Sequence, residues 1–167
     1  MRHRPSATVA ACLALKPTML KPILLVEDNP RDLELALLAL ERSRLANKVV
    51  TVRDGVEALD YLLRRNAYAD RAEGNPAVVL LDIKMPRVNG LEVLETMRAT
   101  TDLKMVPVAM LTSSLEDPDL KRAYELGTNA YIVKPVQFQE FVAAISGLGM
   151  FWALVNEPPP GSVRVLR

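Results

Sequence analysis

The segment that most constrains the fold is Val78–Asp82, which is followed closely by the pair Met85-Pro86. Four consecutive aliphatic residues lead directly into a carboxylate. A strand that is apolar on both faces is typical of the centre of a parallel sheet covered by helices. Proline lacks the N–H that a ladder requires and restricts the residue before it, so the strand must end before Pro86. Asp82 is therefore predicted at the carboxyl edge of the sheet, where open α/β sheets bind ligands, although taken alone it could equally begin a turn.

The composition indicates one domain that folds in a reducing compartment. A chain of 167 residues is long enough to bury a sizeable core. Half of the residues are hydrophobic, but no apolar run approaches the roughly 20 residues that span a bilayer, so no membrane partner is expected. The single cysteine, Cys12, cannot form an internal disulfide, which favours a cytoplasmic location. The single histidine, His3, lies outside every predicted element, which excludes histidine-based catalysis and histidine-ligated zinc sites.

The charge of the chain is unevenly distributed. The whole chain has a formal net charge of +1, yet residues 22–155 carry 15 basic and 19 acidic side chains, a net charge of −4. A mildly acidic domain is a poor electrostatic match for nucleic acid, so nucleic-acid binding is not expected.

Both ends of the sequence are predicted to lie outside the domain. Residues 1–20 are interpreted as a disordered arm or as a misannotated start, since Met19 immediately precedes the first predicted strand. Residues 21–153 form the predicted domain. Residues 154–167 form a C-terminal tail in which Pro158–Gly161 excludes regular structure.

Between these ends the sequence alternates strand and helix five times. This alternation predicts an α/β fold with a parallel, doubly wound, flavodoxin-like sheet, strand order 2-1-3-4-5, and helices on both faces. Helices are expected after Asn29, Asp54 and Asn89, then over Glu116–Leu126, and finally from Phe138 to about Leu148. Asn66–Pro76 is predicted to be a polar loop. The predicted strands are Ile23–Val26, Lys48–Arg53, Val78–Asp82, Val106–Leu111 and Ala130–Val133.

Polar side chains follow four of these strands at the same edge of the sheet. The first strand leads into Glu27-Asp28, the third ends in Asp82, the fourth leads into Thr112, and the fifth is followed by Lys134. Each residue has an ordinary explanation: acids favour a helix N-terminus, a threonine can sit in a turn, and a lysine can be solvated. All of them together at one edge predict a functional site.

The chemistry of this residue set indicates a metal and a phosphoryl group. Clustered carboxylates repel one another unless a cation neutralises them, and oxygen ligands without histidine or cysteine favour Mg²⁺ or Mn²⁺. Lys134 and Thr112 could contact the oxygens of a phosphoryl group. Phosphoryl transfer requires positioning and charge neutralisation, and one carboxylate must act as the nucleophile. Asp82 is the best candidate because it lies on the central strand between the acidic pair and Lys134.

The same motifs resemble those of a known family. The segments that carry the resemblance are Ile23–Asn29, Leu80–Asp82 with Met85-Pro86 and Gly90, Leu111–Ser113, and Tyr131–Pro135. Together, over about residues 21 to 150, they resemble the receiver domain of two-component response regulators, the CheY-like family.

The resemblance implies specific roles for the site residues. Asp82 would accept a phosphoryl group from a phosphohistidine on a sensor histidine kinase. Glu27, Asp28, Asp82 and the backbone carbonyl of Lys84 would surround Mg²⁺, and Lys134 would contact the phosphoryl group. The Lys134-Pro135 peptide bond is expected to be cis.

The resemblance also implies a conformational switch. Thr112 would move toward the phosphoryl group and Tyr131 would swing inward behind it, although Tyr131 could also be an ordinary strand aromatic. Lys84 and Ser114 match positions that tune dephosphorylation. The affected surface would be the fourth helix, fifth strand and fifth helix, which could support a homodimer with Phe151-Trp152, unless these two aromatic residues belong to the core.

A narrower resemblance concerns Arg53–Leu62, the long loop after it and Phe151-Trp152. These segments are similar to single-domain regulators associated with bacterial phytochrome histidine kinases. We therefore expect a stand-alone phosphoacceptor switch with at most slow self-dephosphorylation rather than a metabolic enzyme. The alternatives are a metal-dependent phosphohydrolase on the receiver fold, although Lys84 stands where such enzymes carry a second acid, and a scaffold that is not phosphorylated. A nucleotide or flavin module is disfavoured because no glycine-rich loop follows the first strand.

Overall fold

The computed structural model describes residues 20–72, 74–113, 117–134 and 138–150, in which strands and helices alternate as predicted. The five parallel strands of this part of the chain form one sheet in the order β2-β1-β3-β4-β5, which confirms the predicted fold class. The strands are β1 Ile23–Val26, β2 Val49–Val52, β3 Val78–Asp82, β4 Val108–Thr112 and β5 Ala130–Val133. The helices are α1 Pro30–Arg42, α2 Gly55–Leu62, α3 Gly90–Ala99, α4 Asp117–Glu125 and α5 Phe138–Met150.

The sheet is covered on both faces, so its central strands are buried throughout. Every residue of β1, β3 and β4 is buried, which explains why these strands read as continuous apolar runs. Helices α1 and α5 pack on one face, where the core includes Leu33, Leu40, Phe141 and Ile145. Helices α2, α3 and α4 pack on the other face, where the core includes Tyr61, Leu94, Met97 and Ala123.

Helix α1 begins at the carboxyl edge of the sheet, immediately after β1. The side chain of Asn29 caps it by accepting a hydrogen bond of 3.0 Å from the N–H of Arg31, and Pro30 occupies the first turn. The helix ends at Ser43, whose hydroxyl donates to the carbonyl of Leu40 at 2.6 Å. The positive end of the helix dipole is therefore placed beside the ends of β1 and β3.

Helix α3 begins very close to the end of β3. Asn89 and Glu92 form a capping box, in which each side chain accepts a hydrogen bond from the other's backbone N–H. Gly90 donates its N–H to the carbonyl of Ile83 at 3.0 Å. A Cβ on Gly90 would lie 2.2 Å from the carbonyl oxygen of Asp82, so only glycine allows this approach. The loop that follows Asp82 is thereby fixed against its own helix.

Strand β4 begins two residues later than the sequence indicates. The N–H of Val106 donates to the carbonyl of Leu103 at 2.9 Å and so closes a turn. Pro107 has no N–H that could donate to a neighbouring strand. The carbonyl of Pro107 still accepts from Val79 at 2.9 Å. Regular pairing therefore starts at Val108.

The segment predicted as a polar loop after α2 packs closely against that helix. It contains a short 3₁₀ turn, Asn66–Tyr68. The hydroxyl of Tyr68 donates to Glu57 at 2.7 Å, and its ring meets that of Tyr61 edge to face with centroids 5.2 Å apart. The guanidinium of Arg71 lies 4.3 Å from the ring centroid of Tyr61. Residues 66–71 thus form an ordered cover over the outer side of α2.

At the opposite edge of the sheet, Arg98 of α3 joins two turns. Its guanidinium donates to the carbonyls of Gly127 at 2.9 Å and 3.2 Å, Val106 at 3.0 Å and Lys104 at 3.1 Å, and to the side chain of Asn129 at 3.3 Å. Gly127 has a φ of +82°, the left-handed conformation expected of a glycine that closes a helix. The C-terminal end of α4 is therefore held to the turn between α3 and β4.

Within the described residues, no helix is both long and apolar enough to cross a membrane.

We predict that Gly90→Ala destabilises the protein by about 2 kcal/mol, because the added methyl group collides with the carbonyl of Asp82 and must displace backbone. Urea unfolding followed by circular dichroism measures this change. Gly147→Ala is the matched control: no atom lies within 4 Å of its Cβ position, so this exposed helical site should gain up to about 1 kcal/mol. Equal effects in the two variants would contradict the packing argument.

Candidate functional site

The register of the sheet brings the predicted site residues to one edge. Val26 pairs with Leu81, so Glu27 and Asp82 follow in adjacent strands at the same level. Thr112 pairs with Val133, and the N–H of Lys134 continues this ladder by donating to the carbonyl of Thr112 at 2.6 Å. Residues separated by more than 100 positions therefore face a common site.

Lys134 is the centre of this site. Its ammonium nitrogen lies 2.5 Å from Oε2 of Glu27, 2.9 Å from Oδ1 of Asp82 and 2.9 Å from Oδ2 of Asp32. The side chains of Glu27 and Asp82 are 2% and 7% exposed, and that of Lys134 is 11% exposed. Carboxylates buried this deeply are stable only with a charged partner, which Lys134 supplies.

A second group of oxygens overlaps the first. Glu27, Asp28 and Asp82 each offer a carboxylate oxygen, and these atoms lie within 4.8 Å of one another. Asp28 is the most exposed of the three, so the group is open on its side. Oxygen donors in this arrangement suit a hard divalent cation. The two overlapping groups contain four acids in all and one lysine, so the site has an excess of acidic groups over basic ones.

The electrostatics agree with an incompletely neutralised site. Burial raises the pKa of Glu27 to about 7, and the negative charge of Asp82 acts in the same direction. The hydrogen bond from Lys134 opposes this shift but does not cancel it. Burial also raises the pKa of Asp82 above its usual range. Burial disfavours the charged form of Lys134, but its hydrogen bonds to Glu27 and Asp82 outweigh this effect and raise its pKa.

The other predicted residues are placed as follows. Thr112 ends β4 and is 1% exposed. Tyr131, in β5, is half-buried, and its ring stacks on that of Tyr124 with centroids 6.5 Å apart. Lys84 is exposed in the loop after β3. Ser114, Pro135 and the pair Phe151-Trp152 lie outside the described residues.

Sequence reasoning missed Asp32, the third acid in contact with Lys134. It lies in the first turn of α1, and its side chain is 29% exposed. The available signal was its position: a helix that begins at the carboxyl edge directs its first turn at the site, and an acid there also suits the helix dipole.

The loops around the site are held by close contacts. Asp54 caps α2 by accepting from the N–H of Glu57 at 2.9 Å and forms an ion pair with Arg87 in the loop after β3. A Cβ on Gly55 would lie 2.1 Å from the carbonyl oxygen of Val88, so the start of α2 and this loop are in direct contact. The backbone that follows Asp82 is thus packed on both sides.

A doubly wound 2-1-3-4-5 sheet, with an acidic group at its switch point and a lysine that reaches this group from the end of β5, is typical of a receiver-type signalling domain. Residues 23–146 match the response regulator receiver domain family, and the chain belongs to that family. This finding confirms the resemblance drawn from the motifs.

Individual relatives point to a narrower group. The chain is 33% identical over 132 residues to the response regulator Rcp1 of Synechocystis sp., an alignment that covers 79% of this chain and 88% of Rcp1. The bacteriophytochrome response regulator RtBRR is 65% identical, with a TM-score of 0.70 and coverage of 86% of this chain and 87% of that one. The phosphorylated cyanobacterial phytochrome response regulator RcpA is 37% identical, with a TM-score of 0.78 and coverage of 83% and 98%. The chain is thus closely similar to regulators named for phytochromes, as the narrower resemblance predicted.

We predict a pH dependence that originates at Glu27 in metal-free protein. Its pKa rises from 4.5 to about 7 on folding, so the native state holds more protons than the unfolded state between these values. Stability therefore falls as pH rises through this window, by roughly 3 kcal/mol relative to Glu27→Gln, which cannot titrate. Urea unfolding in a chelator at pH 4.5 and pH 8 checks this, and a pH-independent difference between the two proteins would contradict it.

Proposed function

We propose that the protein is a phosphoacceptor switch in which Asp82 receives a phosphoryl group from a phosphohistidine of a sensor kinase. The observation that carries this proposal is the position of Asp82. Its buried carboxylate lies at the end of the central strand, 2.9 Å from the ammonium of Lys134 and beside Glu27 and Asp28. Membership of the receiver family supports it.

The proposed cofactor is Mg²⁺, or Mn²⁺ in its place. Glu27, Asp28 and Asp82 would hold it with the backbone carbonyl of Lys84. When bound, the ion supplies positive charge that lowers the repulsion between the acids and the incoming group. The convergence of three carboxylate oxygens within 4.8 Å supports this assignment. A solved structure similar to this chain, at 32% identity and a TM-score of 0.76, is the Mn²⁺-bound form of Rcp1.

The transfer step requires little covalent chemistry beyond Asp82 itself. One oxygen of the Asp82 carboxylate forms a bond to phosphorus while the bond from phosphorus to the donor imidazole nitrogen breaks. The electron pair of the broken bond returns to that nitrogen, and the product is an acyl phosphate on Asp82. Lys134 and the hydroxyl of Thr112 would contact the phosphoryl oxygens and stabilise their charge.

The conformational response would pass through Thr112 and Tyr131. Thr112 is buried at the end of β4, and Tyr131 lies on the adjacent strand, where its ring meets α4 through Tyr124. A shift of the hydroxyl toward the phosphoryl group would leave space that the ring of Tyr131 could enter. Lys84 and Ser114 are proposed to set the rate of dephosphorylation, so that self-dephosphorylation is slow.

The proposed partner is a histidine kinase, and the similarity to RtBRR supports a bacterial phytochrome kinase. We also propose a homodimer through α4, β5 and α5, since Tyr124 on this face is 55% exposed. The domain is proposed to span residues 21–153 and to act in the cytoplasm. Neither nucleic acid nor a membrane is proposed as a partner.

We predict that a small phosphodonor with Mg²⁺ adds one phosphoryl group to the protein. Intact-mass analysis and phosphate-affinity electrophoresis should show a single modification that is lost in base and that does not form when a chelator is present during the reaction. Asp82→Asn should abolish it, because an amide cannot form the acyl phosphate. Asp102→Asn is the control, since Asp102 is an exposed acid in the turn between α3 and β4 and should leave the modification unchanged. Modification that persists in Asp82→Asn would refute the assignment.

We predict that Mg²⁺ stabilises the protein through Asp28. At a concentration 100-fold above its Kd the ion should add about 2.7 kcal/mol to the free energy of unfolding. Asp28→Asn removes a ligand and should weaken binding on the order of tenfold, as measured by the shift in Tm across a Mg²⁺ titration. Glu41→Gln, an exposed acid at the far end of α1, should bind as the native protein does. Identical titrations for the Asp28 and Glu41 variants would place the metal elsewhere.

A further inference from the structure

The loop that leads from Asp82 to α3 contains a turn with unusual backbone geometry at Arg87. The N–H of Val88 donates to the carbonyl of Pro86 at 2.9 Å, so this hydrogen bond closes a turn of only three residues. Arg87, at the centre of the turn, has a φ of +67°. A three-residue turn whose central residue is left-handed is rare, and it is strained for any residue other than glycine. The surrounding structure must therefore hold this turn closed.

The side chain of Arg87 supplies such a restraint. Its guanidinium forms an ion pair with Oδ2 of Asp54, while Oδ1 of Asp54 caps α2 by accepting from the N–H of Glu57 at 2.9 Å. An ion pair at the surface contributes little when two mobile side chains must be ordered to form it. Here the carboxylate is only 14% exposed and is already fixed by its cap. The strained turn is therefore fastened to the start of α2.

The same loop carries the backbone carbonyl that the proposed function assigns to the metal. The N–H groups of Met85 and Gly90 both donate to the carbonyl of Ile83, at 3.2 Å and 3.0 Å, so Lys84 is the central residue of another three-residue turn. Mg²⁺ requires nearly ideal octahedral geometry, so a small displacement of one ligand oxygen weakens its binding. The position of the Lys84 carbonyl depends on how the whole loop is closed.

We propose that Arg87 is a positioning residue, whose ion pair with Asp54 holds the strained turn closed and so keeps the backbone carbonyl of Lys84 in place for Mg²⁺. This inference rests on the proposed function, which makes that carbonyl a ligand. It requires no contact between Arg87 and the metal. The binding conformation of the loop is populated before the metal arrives, so the affinity is not reduced by the cost of forming it.

The sign of the expected effect separates this role from an effect of charge alone. Removing a positive charge strengthens the attraction of a protein for a cation, whereas releasing the loop lowers the fraction of protein that can bind and weakens the apparent affinity. Arg87→Ala should therefore bind Mg²⁺ about fivefold more weakly than the native protein. Arg87→Gly should remain within about twofold of native, because glycine adopts the left-handed conformation without strain.

The test is a calorimetric titration of Mg²⁺ into the full chain, for the native protein and each variant. Asp54→Asn keeps an oxygen for the cap of α2 but loses the ion pair, so it should also weaken binding. The double variant Arg87→Ala with Asp54→Asn should bind within about twofold of the weaker single variant, because the two residues act as a unit. Arg122→Ala is the matched control: it breaks an exposed ion pair with Glu95 and removes the same charge, and it should not weaken binding.

A second measurement does not involve the metal. In metal-free protein, hydrogen exchange followed by NMR should be faster at the N–H of Val88 in Arg87→Ala than in the native protein, because the turn that this N–H closes opens more often.

An Arg87→Ala variant that binds Mg²⁺ as tightly as native, or an Arg87→Gly variant that binds no better than Arg87→Ala, would overturn the inference. Additive losses in the double variant, an equal loss in Arg122→Ala, or unchanged exchange at Val88 would also overturn it. A native protein that fails to bind Mg²⁺ at all would instead refute the proposed metal site, and the inference with it.

Discussion

One ammonium group shared among three carboxylates holds the site of this protein together. Lys134 reaches Glu27 and Asp82, which are buried, and Asp32, which is partly exposed, so that segments from β1, α1, β3 and β5 meet at one atom. The two buried acids, Glu27 and Asp82, could not remain charged at their depth without a partner. The arrangement is nevertheless deficient in positive charge, because Asp28 lies beside it as well. That deficit makes the site receptive to a divalent cation.

The rest of the fold serves to keep these segments in register. The adjacency of β1 and β3 sets Glu27 beside Asp82, and the buried sheet makes a slip in register costly because every side chain of the central strands is enclosed. Gly90 and Gly55 allow backbone to approach backbone on either side of the loop after Asp82. Stability and chemistry therefore depend on the same close contacts, and this coupling restricts which residues can occupy those positions.

The sheet order and most element positions could be predicted from the sequence because buried strands such as Val78–Asp82 leave an unmistakable apolar run. The meeting of Glu27, Asp82 and Lys134 followed from the strand order alone. Asp32 was missed because the direction of a helix's first turn depends on tertiary packing, which no local pattern records. The cover formed by Tyr68 and Arg71 was read as a polar loop, since its contacts with Tyr61 join residues that carry no periodic signal. The start of β4 was predicted two residues too early, because the N–H of Val106 donates to the carbonyl of Leu103 in a turn and not to a neighbouring strand.

Arg98 has a consequence for the way α4 can respond to events at the opposite edge of the sheet. Its guanidinium fastens the turn at Gly127 and Asn129 to the turn before β4, far from Thr112. A helix that is held at its C-terminal end can change its angle but cannot shift along its own axis. Any rearrangement of α4 should therefore be an angular one with its fulcrum at this guanidinium, and its amplitude should grow toward the end of the helix nearest Thr112.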